Sequence, residues 1–301
     1  MCCLTKKEFF KLGNFDFGKC KKFGTHSDNE SYKIIAYKFD YSEVDYSKRE
    51  YTEKGTTNTE KLSVNLQRAH NRIFELASCN PWSFFVTFTF DKKKIDRNSL
   101  NAVNTSLSQF LRNIGKKYGR KISYLLVPEL HSDKKAWHMH GLLYGLPISV
   151  LKEFEIGKKG TTQKVCEMLQ KGRHIYNWLD FYKRFGFCTL EPIKSPEAIS
   201  KYITKYITKD LERMVTDLNA HMFYASKGLN NAPTVAEGTF SRALEPIPDD
   251  NGCDKTYFAN DYVRIKRTRS AELALSYFDY GEIPTIPDYK NPMEILENAV
   301  S

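Results

Sequence analysis

The chain has 301 residues, enough to bury a sizeable core in one domain with additions or in two small domains. Its formal net charge of +10 favours a polyanionic partner, nucleic acid first, and its 14% of aromatic residues suits base stacking as well as an ordinary core. Seven cysteines without any Cys-x-x-Cys exclude a disulfide framework and strong zinc spacing; no apolar run reaches membrane-spanning length and no signal-peptide core opens the chain, so a cytoplasmic protein without a membrane partner is expected.

Residues 1–60 are Lys-rich and glycine-punctuated, then rich in tyrosine from Tyr32 to Tyr51. This reads as a basic N-terminal arm with one or two strands, the alternation over Tyr32 to Phe39 marking one of them. Leu62, Leu66, Ala69, Ile73 and Leu76 recur at helical spacing until Asn80-Pro81 stops the helix. The run Phe84 to Phe90 is β-branched and aromatic throughout, which predicts a central strand. A second helix carries Leu100, Val103, Leu107, Phe110, Leu111 and Ile114 on one face.

Two strand-like runs follow, Tyr124 to His131 and Trp137 to Gly141, joined by a short polar segment that suits an antiparallel hairpin. If His131 pairs with Ala136, Glu129 falls opposite His138 and Val127 opposite His140. Side chains alternate across a strand, so Glu129, His138 and His140 would share one face, with opposed Cβ atoms about 4.5 to 5.5 Å apart. Two imidazoles and a carboxylate at that reach suit a divalent cation, with His131 as reserve ligand. A His-x-His strand taken alone reads equally as two half-exposed histidines.

Leu146-Pro147 and the glycines at 157, 160 and 172 break residues 145–185, which Lys158, Lys159, Lys164 and Lys171 make basic. Tyr176 to Phe185 reads as a short helix and Gly186 to Leu190 as a strand. Ser195-Pro196-Glu197 then starts a helix with Ile199, Ile203, Ile207 and Leu211 as its core stripe. On it Tyr202 and Tyr206 stand one turn apart, at the edge of the stripe, beside a ladder of Lys205 and Lys209. The order strand, helix, hairpin, helix, strand, helix predicts an α+β fold, a central antiparallel sheet with helices packed on it. The endonuclease core is expected over 61–215 and a C-terminal extension over 216–301. Within the extension, Phe223 to Leu229 suggests a strand and turn, Glu245 to Asp254 an acidic linker, Tyr257 to Arg269 a basic strand, and Pro292 to Val300 a short helix.

Phe84 to Asp91, Glu129, His138-Met139-His140, and Tyr202 and Tyr206 with Lys205 occur in the order and spacing of the HUH replication endonucleases. Over roughly residues 62–230 the chain resembles the rolling-circle replication initiators of small single-stranded DNA bacteriophages, especially the gokushovirus-type microviruses and the related filamentous-phage replication proteins. The resemblance implies an RRM/ferredoxin-like βαββαβ core and metal-dependent nicking of an origin through a 5′-phosphotyrosine, starting and ending rolling-circle replication. Tyr202 and Tyr206 would be the nucleophiles, Lys205 their electrostatic partner, and Glu129, His138 and His140 the ligands of Mn²⁺ or Mg²⁺. Lys201, Lys209 and Lys227 are the candidate DNA contacts. Single-stranded or extruded origin DNA would be the substrate, and a host helicase, polymerase and single-strand-binding protein the partners, in a bacterial cytoplasm. Phe17 and Phe23 stand where one branch has cysteines around Gly18-Lys19-Cys20, so no N-terminal zinc site is expected. An HUH transposase or plasmid relaxase would share the site, and a non-catalytic DNA-binding protein could keep the fold and charge.

Overall fold

The computed structural model describes residues 17–24, 30–37, 59–131, 135–194, 203, 221–239, 255–259 and 263–278. In chain order its elements begin with β1 (Phe17–Phe23), β2 (Ser31–Tyr37), α1 (Thr59–Ser78), β3 (Phe84–Thr89), α2 (Leu100–Lys117), β4 (Ser123–Leu130) and β5 (Trp137–Tyr144). They continue with β6 (Leu151–Glu153), α3 (Gln163–Gln170), β7 (Tyr176–Trp178), α4 (Leu179–Arg184), β8 (Cys188–Pro192) and β9 (Tyr224–Ala225). β10 (Thr234–Thr239), β11 (Lys255–Ala259), β12 (Val263–Thr268) and α5 (Ala271–Leu275) complete them. Two compact units result, one of Gly55–Asn230 and one of Met1–Lys54 with Asn231–Ser301.

The unit Gly55–Asn230 is built on a seven-stranded antiparallel sheet of order β6-β7-β8-β3-β5-β4-β9. Strand alternation decides its two faces. From β3, Phe84, Val86 and Phe88, with Phe90 just beyond, are buried together with Met139 and Leu143 of β5. The stripe Val103, Leu107, Leu111 and Ile114 of α2 closes over them, and Phe181 of α4 stacks on Phe88 at 4.4 Å. Each such side chain contributes about 1.5–3 kcal/mol by leaving water. Ser99 begins α2 by accepting a hydrogen bond from the Ala102 backbone N–H at 3.2 Å. The opposite face carries Leu125, Val127 and Leu142, packed in a cluster with Ile73, Leu76 and Ala77 of α1.

The expected α+β fold is therefore the one observed, and the hairpin register agrees with the sequence pattern. The His131 backbone N–H donates to the Ala136 carbonyl at 2.8 Å, Glu129 stands opposite His138, and Val127 opposite His140. Residues 145–185 differ from the expectation. Tyr176 to Trp178 is a strand, not the start of a helix, because it pairs with β6 and β8; only Leu179–Arg184 is helical. The following strand runs Cys188–Pro192, two residues later than predicted, since Gly186 makes the turn with φ +140°.

The second unit holds a five-stranded antiparallel sheet of order β10-β1-β2-β12-β11. Its core joins Cys20, Tyr32, Ile34 and Ala36 to Ala236 and to Ala274 and Leu275 of α5. Strands from residues 1–60 and from 216–301 thus share one sheet. Tyr257 to Arg269, expected as one strand, contributes to two, β11 and β12, paired antiparallel. The Glu245 to Asp254 linker and the Pro292 to Val300 helix lie outside the described residues.

The hairpin of β4 and β5 closes on a single missing side chain. A Cβ on Gly141 would lie 2.0 Å from the Leu125 carbonyl oxygen and 2.9 Å from the Leu126 Cα, both backbone atoms. Gly141→Ala is therefore expected to lower unfolding free energy by about 2 kcal/mol or more, toward the upper part of the overpacking range. Urea unfolding checks this, and an unchanged midpoint would contradict so close an approach of the strands.

Candidate functional site

Three adjacent strands place the site. β5 lies between β4 and β3, so His138 has Glu129 opposite on one side and Thr89 on the other, while His140 has Val127 and Thr87. One strand further, Thr189 of β8 continues the His140 row. Every one of these residues has the parity opposite to Phe84, Val86 and Phe88. The alternation that sends the phenylalanines into the core thus sends the threonines and histidines to the other face.

Both threonines hold a histidine. Thr87 Oγ1 lies 3.0 Å from His140 Nδ1, and Thr89 Oγ1 lies 3.1 Å from His138 Nδ1. When Nδ1–H donates to the hydroxyl, Nε2 carries the lone pair that a metal requires, the usual arrangement behind a ligating imidazole. Thr87 and Thr89 are positioning residues that sequence reasoning took only as β-branched strand formers. The His138 ring is stacked on His131 at 4.8 Å and lies nearly parallel to His140 at 6.4 Å.

Glu129 stands opposite His138 but bonds its diagonal neighbour, Oε2 to His140 Nε2 at 2.5 Å. Bonds of about 2.1 Å would keep two ligand atoms of one cation at least about 3 Å apart, so this spacing is that of a hydrogen-bonded pair. Accordingly, no three His, Cys, Asp or Glu side chains among the described residues form a ready cation cage. The donor set nevertheless fits a divalent ion, with two backed imidazoles and a carboxylate whose side chain is 31% exposed and can turn.

These residues floor a cleft of about 610 Å³. Its far wall is α3 with its flanks, contributing Thr162, Lys164, Val165, Met168 and Lys171. Thr162 caps the helix on the Val165 backbone N–H, Val165 is buried, and Gly172 ends it with φ +71°. Arg173 grips Glu191 of β8 with Nε, 2.6 Å from Oε1, and with Nη2 on Oε2.

Of the residues singled out by sequence, Glu129, His131, His138 and His140 line this one cleft. Lys227 does not: it follows β9, which pairs with β4 at Leu125 and Leu126, and the neighbouring Ser226 bonds the Tyr124 carbonyl. Tyr124 and Glu129 are five residues, roughly 17 Å, apart along the strand. Lys201, Tyr202, Lys205, Tyr206 and Lys209 lie outside the described residues. Of their helix, Ile203 is described: it is helical, 1% exposed, and belongs to the cluster of Leu125, Val127 and Leu142, the residues that extend the histidine face.

Fold and cleft together define an α+β protein with an imidazole and carboxylate site on an antiparallel sheet. Residues 83–211 match the family of replication-associated proteins designated ORF2, which supports a rolling-circle replication initiator class. No curated protein and no solved structure matches the chain significantly. Among the described residues, no helix is long and apolar enough to cross a membrane.

Burial, then the neighbouring His131 and His140, push the His138 imidazole down to about 4 from 6.5, against the opposing pull of Glu129. The folded protein thus resists a proton that the unfolded chain accepts. The stability that His138 confers is complete above about pH 6.5 and declines as the pH falls toward about 4. In metal-free protein, the His138 ring resonances are expected to titrate with a midpoint of about 4 in an NMR titration. A midpoint at the ordinary histidine value would contradict the buried, imidazole-flanked setting.

Proposed function

We propose that this protein is a rolling-circle replication initiator of the HUH type, as in the gokushovirus-type microviruses: a single-strand DNA endonuclease and strand transferase acting through a 5′-phosphotyrosine. The observation that carries this reading is the pair of threonine-backed imidazoles sharing one cleft with Glu129. They lie within the segment 83–211 that matches the replication-associated family, and that segment also contains Tyr202 and Tyr206.

A phenol with a pKa of about 10 is a weak nucleophile at neutral pH, so the site has to favour its anion. The oxygen of Tyr202 or Tyr206 attacks the scissile phosphorus, the bond to O3′ breaks, and the 3′ oxygen leaves and takes up a proton. The 5′ phosphate stays on the protein as a tyrosine ester. Lys205 stabilises the phenolate and the charge that develops on the phosphate. Because the ester keeps the phosphodiester energy, a 3′-hydroxyl can attack it in reverse and rejoin the strand. The second tyrosine, one turn away, meanwhile cuts the regenerated origin.

His138, His140 and Glu129, with His131 in reserve, would hold Mn²⁺ or Mg²⁺, which when bound supplies Lewis-acid polarisation of the non-bridging phosphate oxygens. Glu129 must give up its bond to His140 to join them. Lys201 and Lys209 would contact the flanking strand. No Gly-x-x-x-x-Gly-Lys-Ser/Thr loop is present, so unwinding falls to a host helicase, with host polymerase and single-strand-binding protein acting in the bacterial cytoplasm.

Incubated with an origin oligonucleotide and Mn²⁺, the wild-type protein is expected to form an SDS-resistant DNA adduct that Tyr202→Phe/Tyr206→Phe abolishes. His138→Ala/His140→Ala should slow adduct formation by about a hundredfold, the upper range for a disturbed metal site. An adduct undiminished in the tyrosine double variant would defeat the reading.

A further inference from the structure

The cleft extends well past the histidines, and its outer half has a chemistry the proposed reaction does not use. α3 lies along it with Lys164 near its start and Lys171 just after its end, both lining the cleft and both exposed. Neither lysine forms an ion pair among the described residues. The third cation on this wall, Arg173, is neutralised by Glu191, and Glu129 is occupied by His140. Glu167, the remaining carboxylate of the wall, accepts a hydrogen bond from Gln163 at 3.2 Å.

Between the lysines the lining turns apolar. Val165 and Met168 of the helix stand in the same cleft as Phe187, a half-buried ring whose centroid lies 5.6 Å from that of Phe154. Two cations with an aromatic ring in the same channel suit a chain that alternates phosphates and flat bases. Seven residues of helix separate the lysines by about 10.5 Å, the length of roughly three stacked nucleotides. The volume of about 610 Å³ lies inside the range of sites that enclose a ligand of one or two nucleotides' bulk, roughly 300–1,000 Å³.

We infer that Lys164 and Lys171, with Phe187 between them, form a nucleotide-binding wall that holds the single DNA strand beside the scissile phosphate. This rests on the nicking reading for the identity of the strand, though not for the binding itself. The lysines act on phosphates, so the grip is independent of sequence; Phe187 stacks on a base, which any base permits. α3 is suited to this work because it is fixed at both ends, by Thr162 and Gly172, and bound to the sheet through Val165. The lysines therefore project from a rigid base.

The test is fluorescence anisotropy of a labelled oligothymidylate over a range of salt concentrations. Lys164→Glu/Lys171→Glu is compared with Lys116→Glu/Arg120→Glu, an equal charge change at exposed positions on and just beyond α2, the helix of the opposite sheet face. The wall variant is expected to lose at least about tenfold in affinity, and its dependence of log affinity on log salt to flatten by about 1.4, two phosphate contacts at ~0.7 each. The control is expected to change less than about threefold. Phe187→Ala should weaken binding while leaving the salt dependence unchanged. Equal losses in wall and control variants, no loss in the wall variant, or no binding by the wild type would overturn the proposal. The adduct assay run on the same samples separates it from the nicking reading. A wild-type adduct with unimpaired wall-variant binding defeats the wall alone, and selective loss of binding without any wild-type adduct defeats the nicking alone.

Discussion

The site depends on how closely β4 and β5 approach at Gly141. Where an alanine Cβ would stand, the Leu125 carbonyl oxygen is only 2.0 Å away, so these two backbones can lie this close only without a side chain there. Gly141 follows His140 directly, and Leu125 is four residues before Glu129 on the partner strand. The contact that brings the strands together therefore also sets how far the Glu129 carboxylate reaches across to the imidazoles. A one-residue slip in this register would turn both histidines into the phenylalanine core.

From that register the rest of the unit follows by alternation. One face of β3 and β5 is apolar and is sealed by α2 and α4. The other face is divided along its length. At the Leu125 and Leu142 end it is covered by α1, and at the Glu129 and His138 end it opens into the cleft. The threonines of β3 serve two purposes at once: they are good strand formers, and their hydroxyls orient the histidines across the pair.

How much of this was legible differs by element. The hairpin could be read because its pattern is local: a polar joint, two alternating runs, and histidines whose partners follow from counting outward from His131 and Ala136. The role of Thr87 and Thr89 could not, because Thr87 and His140 are 53 positions apart and meet only once β3 is known to pair with β5 in that register. The outer cleft was illegible for another reason. β6 and β7 are three-residue strands held by their sheet neighbours, and α3 is an eight-residue helix with one fully buried anchor, Val165. Elements that short carry no periodicity to read, and the glycines at 157, 160 and 172 mark where the chain turns without saying what lies between. The tyrosine helix was the reverse case: a clear stripe in sequence, of which the structure describes Ile203.

The paired hydrogen bonds of Arg173 to Glu191 bear on how positive charge should be counted. A surplus of basic residues in a segment invites the view that all of them attract a polyanion. Here the guanidinium is a brace: it ties the loop leaving α3 to β8 and holds the channel at one width, whatever passes through it. The attraction is left to lysines on long flexible stems, which can follow a moving backbone, while the rigid planar cation keeps the walls apart. The division gives the channel a fixed frame with yielding contacts, the mechanical combination suited to a strand that has to be held and also fed through.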